Sequence, residues 1–229
     1  MNVHPTDLHE LKVSTLHGRI IGVFFVLLVI EWGMLFYNQS WLSLFLVTSI
    51  LAILFAPVIF RKRMQMEIPA EMHIIAVVFV FSALYLGEVL DFYNRLWWWD
   101  IGLHTSAGLL MGIFGFLLVY VLNESKKAHM NMAPSFIALF AFAFGVTIGS
   151  IWEIFEFSVD QLLGANMQKP MLGDPSGLTD TMWDIIVNAI GAFTISFIGF
   201  GYLKSGKSFF VKEMIKSFIN KNPRMFKKD

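Results

Sequence analysis

Six apolar runs, each close to the length of a membrane-crossing helix, divide this chain, and the charges between them sort by sign. The runs are read as spans at about residues 19–37, 41–60, 70–90, 100–121, 134–161 and 180–203. A helix needs roughly 20 apolar residues to cross a bilayer. Lipid also obliges a crossing segment to satisfy its own backbone, and these runs are too long for barrel strands. The expectation is therefore an all-α, multi-pass bundle over residues 1–203, followed by a basic tail at 204–229. Composition agrees, with 56% hydrophobic residues, 15% charged residues and a mean hydropathy of +0.65.

The distribution of charge orients the spans. Lys12 and Arg19, three residues at 61–63, Lys126 with Lys127, and eight from Lys204 onward place 15 of the 17 basic residues on one face. Only Arg95 and Lys169 fall on the other. The positive-inside rule makes the basic face cytoplasmic, which puts both termini in the cytoplasm of a bacterial inner membrane. The outer face then holds nine carboxylates (Glu88, Asp91, Asp100, Glu153, Glu156, Asp160, Asp174, Asp180 and Asp184) together with His104. Such a field calls for something positive within it.

The net charge is zero, so it implies neither a nucleic-acid nor a protein partner; membrane lipids are the partner that composition implies. There are no cysteines, which excludes disulfides, thiolate metal sites and cysteine nucleophiles together. The first apolar run begins after eighteen polar-to-mixed residues and lacks a small-residue cleavage pattern, so it reads as a span and not as a cleaved leader. The three-residue link at 38–40 predicts antiparallel neighbours on either side. The link at 162–179, rich in glycine and proline, is the longest on the outer face. In the tail, apolar residues at helical spacing with lysines between them, at 209–219, suit a helix lying in the cytoplasmic interface.

Polar residues inside the spans form ladders that start at one surface. Asp100 and His104 share a helix face, continued inward by Gly108 and Gly112. Glu153, Glu156 and Asp160 form a second stripe, and Asp180, Asp184 and Asn188 a third with Gly191 beyond. Glu88 and Asp91 make a shorter pair at the exit of the third span. Each ladder runs roughly 10 Å inward, so their depths match and one shared site is possible. Plainer readings stand beside this one. Asp100 and Asp180 sit where helix caps belong. Trp97, Trp98 and Trp99 read as an interfacial aromatic belt. The Gly108–Gly112 and Gly145–Gly149 pairs read as close-packing faces, and Asp91, Asp174 and Arg95 as loop charges. His104, Glu153, Glu156 and Asp184 lie deeper, where an ionisable group is expensive and defaults to function. Glu31 and Glu88 are isolated and weigh less.

Asp100-x3-His104-x3-Gly108, Trp152-Glu153-x2-Glu156 and Asp180-x2-Trp183-Asp184-x3-Asn188-x2-Gly191-Ala192 together resemble the VanZ-like membrane proteins, in particular their YjdF-like bacterial inner-membrane relatives. The resemblance covers about residues 97–200 and implies a small helical inner-membrane protein with a link to the cell envelope. Many VanZ-like sequences carry glutamine at the place of Glu156 and an arginine in the outer loop before the last helix. No arginine stands between Gly164 and Thr179.

Three functions fit the residues. In a metal-dependent hydrolase or transferase acting on a lipid or envelope substrate, His104, Glu153, Glu156 and Asp184 would hold Mg²⁺, Mn²⁺ or Zn²⁺. Asp100 or Asp160 would then act as base or orient His104, while Glu88, Asp91, Asp180 and Asn188 support the site or the substrate. A cation- or proton-coupled transporter would use the same carboxylates as a relay. A non-catalytic protein would use them to bind a cationic headgroup or antibiotic.

Overall fold

The structure is a computed structural model that describes residues 5–55, 62–63, 67–124, 132–205 and 217–223, all helical or connecting between helices apart from one isolated bridge. The chain folds as two compact units, one of residues 1–95 with 213–225 and one of residues 96–212 with 226–229.

In the first unit α1 (Pro5–Tyr37) turns directly into α2 (Trp41–Leu54). Gln39 takes a left-handed conformation (φ 56°) and the Ser40 amide bonds the Leu35 carbonyl at 3.0 Å, which closes the three-residue link. The two helices are antiparallel neighbours, as the short link requires: Trp32 Nε1 donates to Thr48 Oγ1 at 3.1 Å, and Phe36 meets Trp41 edge-on. α3 (Ala70–Val80) continues as a wider π-helical segment, Phe81–Val89. Phe24 stacks on Phe81 with ring centroids 4.4 Å apart, and Tyr85 donates to Glu31 at 3.4 Å, so α1 and α3 run parallel with α2 returning beside them. Glu31, partly buried, thereby finds a hydroxyl partner in Tyr85, which packs against the apolar core of Leu28, Val47, Ile50 and Val77. A short helix, α4 (Phe92–Arg95), follows. The buried Asn222 side chain closes the unit: its amide donates to the Glu67 carbonyl at 2.8 Å and its oxygen accepts the Glu67 amide at 2.7 Å.

The second unit consists of three long helices that all pack on one another, α5 (Trp99–Glu124), α6 (Pro134–Leu163) and α7 (Leu178–Ser205). Pro134 opens α6, where its missing amide hydrogen costs nothing. Gly164 (φ 64°) ends it in a left-handed cap, its amide bonded to Asp160 O at 3.0 Å. Lipid is as apolar as leucine, so burying apolar surface does little to associate helices in a membrane; close backbone approach does more. Glycine permits that approach here. A Cβ on Gly108 would collide with the carbonyl oxygen of Asn188, and one on Gly191 with that of Thr105, so α5 and α7 touch backbone to backbone. Gly145 faces the Ala192 methyl, and Gly149 leaves the space that the Asn188 side chain fills. Phe116, Ile113, Ile137, Ala141 and Ile195 fill the bundle beyond these contacts.

Five helices among the described residues are long and apolar enough to cross a membrane: Gly18–Tyr37, Ala70–Val89, Trp99–Val119, Pro134–Leu162 and Leu178–Ser205. The expected second span reaches only Leu54. Its 14 residues cover roughly 21 Å of an apolar core about 30 Å thick, and residues 56–60 lie outside the described ones. The basic stretch at 126–127 and most of the expected interfacial helix at 209–219 also lie outside them.

Candidate functional site

His104, just past the first turn of α5, is the centre of the polar end of the second unit. Its Nε2 lies 3.3 Å from Asp100 Oδ1, one turn earlier on the same helix, and 4.0 Å from Asp184 Oδ2 on α7. Its Nδ1 lies 3.4 Å from Glu153 Oε1 on α6. Three helices thus deliver three carboxylates to one imidazole, two on one ring nitrogen and one on the other. Asp184 is 1% exposed and Glu153 3%; no donor meets hydrogen-bond geometry at either Asp184 oxygen, and Thr181 on α7 is the hydroxyl that interacts with Glu153. An ionised carboxylate taken out of water costs several kcal/mol in desolvation. Even a charged imidazole offsets only one of the three.

Asp100, His104 and Asp184 each direct one ligand atom into a group whose members all lie within 4.8 Å of one another. Ligands held 2.0–2.1 Å from one ion at tetrahedral or cis-octahedral angles stand about 2.8–3.4 Å apart. The 3.3 and 4.0 Å separations are therefore close to what a shared divalent ion needs, with a small contraction on the Asp184 side. One nitrogen and two carboxylate oxygens suit Zn²⁺, Mn²⁺ or Mg²⁺.

The other expected site residues have different occupations. Glu156 is buried and accepts the Trp152 indole N–H at 2.8 Å, a partnership readable in the sequence from their four-residue spacing but not drawn from it. Asp160 is a loop anchor: its two oxygens accept the Met167 and Gln168 amides at 2.8 and 2.9 Å. Asp180 anchors the same segment through the Lys169 amide at 2.7 Å and does not cap its own helix with that oxygen. The Gln168 side chain donates to Thr181 Oγ1 at 2.7 Å, which ties the loop to α7 one turn before Asp184. Asn188, 1% exposed, donates to the Gly145 carbonyl at 3.1 Å and locks α7 to α6. Glu88 and Asp91 belong to the first unit, and Asp91, in a left-handed conformation, accepts from the Asn94 side chain at 2.6 Å.

Asp174 is more than a loop charge. Its carboxylate accepts the amides and hydroxyls of both Ser176 and Thr179, which nucleates the start of α7 and holds its pKa well below the usual carboxylate range. The hydroxyls beside His104 are committed elsewhere: Thr105 donates to Ile101 O and Ser106 to Gly102 O, each at 2.7 Å. They are not placed as nucleophiles.

The inward end of the site is closed. Past Asn188 the helices meet at Gly108, Gly191 and Gly145, and the buried residues beyond, among those described, are apolar save for Ser196.

An uncharacterized protein of Thermotoga maritima is 30% identical over 142 residues, which span 62% of this chain and 68% of its own. No solved structure matches the chain. The sequence model of the family described as "Predicted membrane protein (DUF2238)" matches residues 19–205, a stretch that includes every helix of the His104 site, and the chain belongs to that family.

Proposed function

We propose that this protein is a divalent-cation-dependent membrane enzyme whose ion is held by Asp100, His104 and Asp184 at the outer end of α5, α6 and α7. One observation carries the reading: the His104 imidazole and the Asp100 carboxylate on α5 and the buried Asp184 carboxylate on α7, which no donor satisfies, bring one ligand atom each to within 4.8 Å of one another. Such an ion would polarise a phosphoryl or acyl oxygen and acidify bound water, which is the chemistry of a hydrolase or transferase acting on a lipid or envelope precursor. The chain's own part is to fix the donor set, exclude water from its inner side and keep the outer end within reach of a headgroup.

The same reading places the site on the outer face of a bacterial inner membrane, with both termini in the cytoplasm. The excess of basic residues on the opposite face supports it, and the clamp between Asn222 and Glu67 is consistent with the four long apolar helices between them, an even number that returns residue 222 to the side of residue 67. The motifs around His104, Glu153 and Asp184 support kinship with VanZ-like and YjdF-like proteins. A cation-coupled transporter is disfavoured by the close glycine contacts inward of Asn188. Metal analysis of purified protein, with His104→Ala as control, tests the proposal: bound Zn²⁺, Mn²⁺ or Mg²⁺ that the variant loses supports it.

A further inference from the structure

We infer that Glu153 is not a ligand of the ion but the residue that aims His104 at it. The inference rests on the cation reading above and adds a division of labour within the cluster.

The imidazole has two nitrogens and they face different ways. Nε2 is the one directed toward Asp100 and Asp184, while Nδ1 is directed toward Glu153 across the α5–α6 interface. An imidazole that binds an ion through Nε2 is neutral, with its remaining hydrogen on Nδ1. The Glu153 carboxylate, 3.4 Å away and 3% exposed, is the group that faces that nitrogen and would accept the hydrogen with the ring so held. A carboxylate in this position fixes the ring's orientation and tautomer and makes the ligating nitrogen more basic.

The alternative, Glu153 as a ligand, requires the ion on the Nδ1 side, away from Asp100. The group of donors within mutual reach is Asp100, His104 and Asp184, and Glu153 is outside it. Packing holds Glu153 in place. It lies one turn along α6 from Gly149, against which the Asn188 side chain sits, and Asn188 lies one turn along α7 from Asp184. The ligand from α7 and the orienting group from α6 are thus referenced to one buried amide.

The test uses the full-length protein in detergent, with Zn²⁺ and Mn²⁺ as the probes, and measures affinity and extended X-ray absorption for wild type, Glu153→Gln, Glu153→Ala and Asp184→Asn. A positioning role predicts that Glu153→Ala weakens binding about 10- to 100-fold with the same number of nitrogen and oxygen ligands at the ion. Glu153→Gln, whose side-chain oxygen still accepts the Nδ1 hydrogen, should recover most of that loss. Asp184→Asn should lose a ligand outright. If Glu153→Ala removes an oxygen ligand from the absorption spectrum, or leaves affinity unchanged while Asp184→Asn abolishes it, the orienting role is wrong and the cation site stands. If wild type binds neither ion, both readings fall.

Discussion

His104 Nδ1 and Glu153 Oε1 stand 3.4 Å apart across two helices, while the ring's other nitrogen lies 3.3 Å from Asp100 and 4.0 Å from Asp184. The two sides of one imidazole are therefore unlike. One faces a single buried carboxylate, and the other faces a pair spaced as ligands. The scaffold that maintains this difference is the packing of α5, α6 and α7.

The backbone contact between α5 and α7 sets the spacing of Asp100, His104 and Asp184. Gly108→Leu places a side chain where the Asn188 carbonyl lies. Overpacking of this kind costs about 1–3 kcal/mol, or more where backbone must move. Thermal unfolding in detergent should fall accordingly, and metal binding should fall with it. Gly22→Leu, in open space on α1, should change neither.

Asp160 and Asp180 hold three successive loop amides, at Met167, Gln168 and Lys169. Asp160→Ala should release the loop from the end of α6, seen as faster amide hydrogen exchange at Met167 and Gln168 and faster proteolysis within 164–177. Metal affinity should change far less than in His104→Ala. Equal loss in both variants would give Asp160 a part in the site beyond anchoring the loop.

Asp174 supplies the pH dependence that lies outside the membrane. Its folded pKa is depressed by four hydrogen bonds, those from Ser176 and Thr179. The stabilisation is fully present above the unfolded aspartate value of about 3.9 and is lost as pH falls through the lower folded value. Wild type should unfold at a higher temperature than Asp174→Ala at neutral pH, and the gap should close in acid. A gap independent of pH would contradict the assignment.

Much of this arrangement was legible in the sequence. The ladders on α5, α6 and α7 followed from helical spacing, and the three-residue link correctly made α1 and α2 antiparallel. Spacing along a helix gives a shared face but not which oxygen reaches which nitrogen. For that reason spacing leaves open whether Asp100 acts as base, orients His104 or is a donor, although it lies 3.3 Å from Nε2, and it does not show that Glu156 accepts the Trp152 indole N–H. The loop was least legible. Its course depends on left-handed residues at Leu172, Gly173 and Gly177 and on amides that carry no side-chain signature, so the anchoring roles of Asp160, Asp180, Gln168 and Thr181 could not be read in advance.

Topology has its own check. Single cysteines at Asn2 and Lys228 in this cysteine-free chain, probed with a membrane-impermeant thiol reagent, should react only after the inner membrane is opened. A cysteine at Leu172, which is 82% exposed, should react in intact spheroplasts. The reverse pattern would move the His104 site to the cytoplasmic face.

The most direct measurement is the metal content and thermal stability of purified wild type and His104→Ala, each before and after a chelator and after returning Zn²⁺, Mn²⁺ or Mg²⁺. The account predicts about one divalent ion per chain of wild type, a fall in unfolding temperature on chelation that the ion restores, and neither effect in the variant, which still inserts because it carries one fewer ionisable group into the bilayer. Wild type that takes up no divalent ion, with an unfolding temperature indifferent to chelator and metal alike, would contradict it.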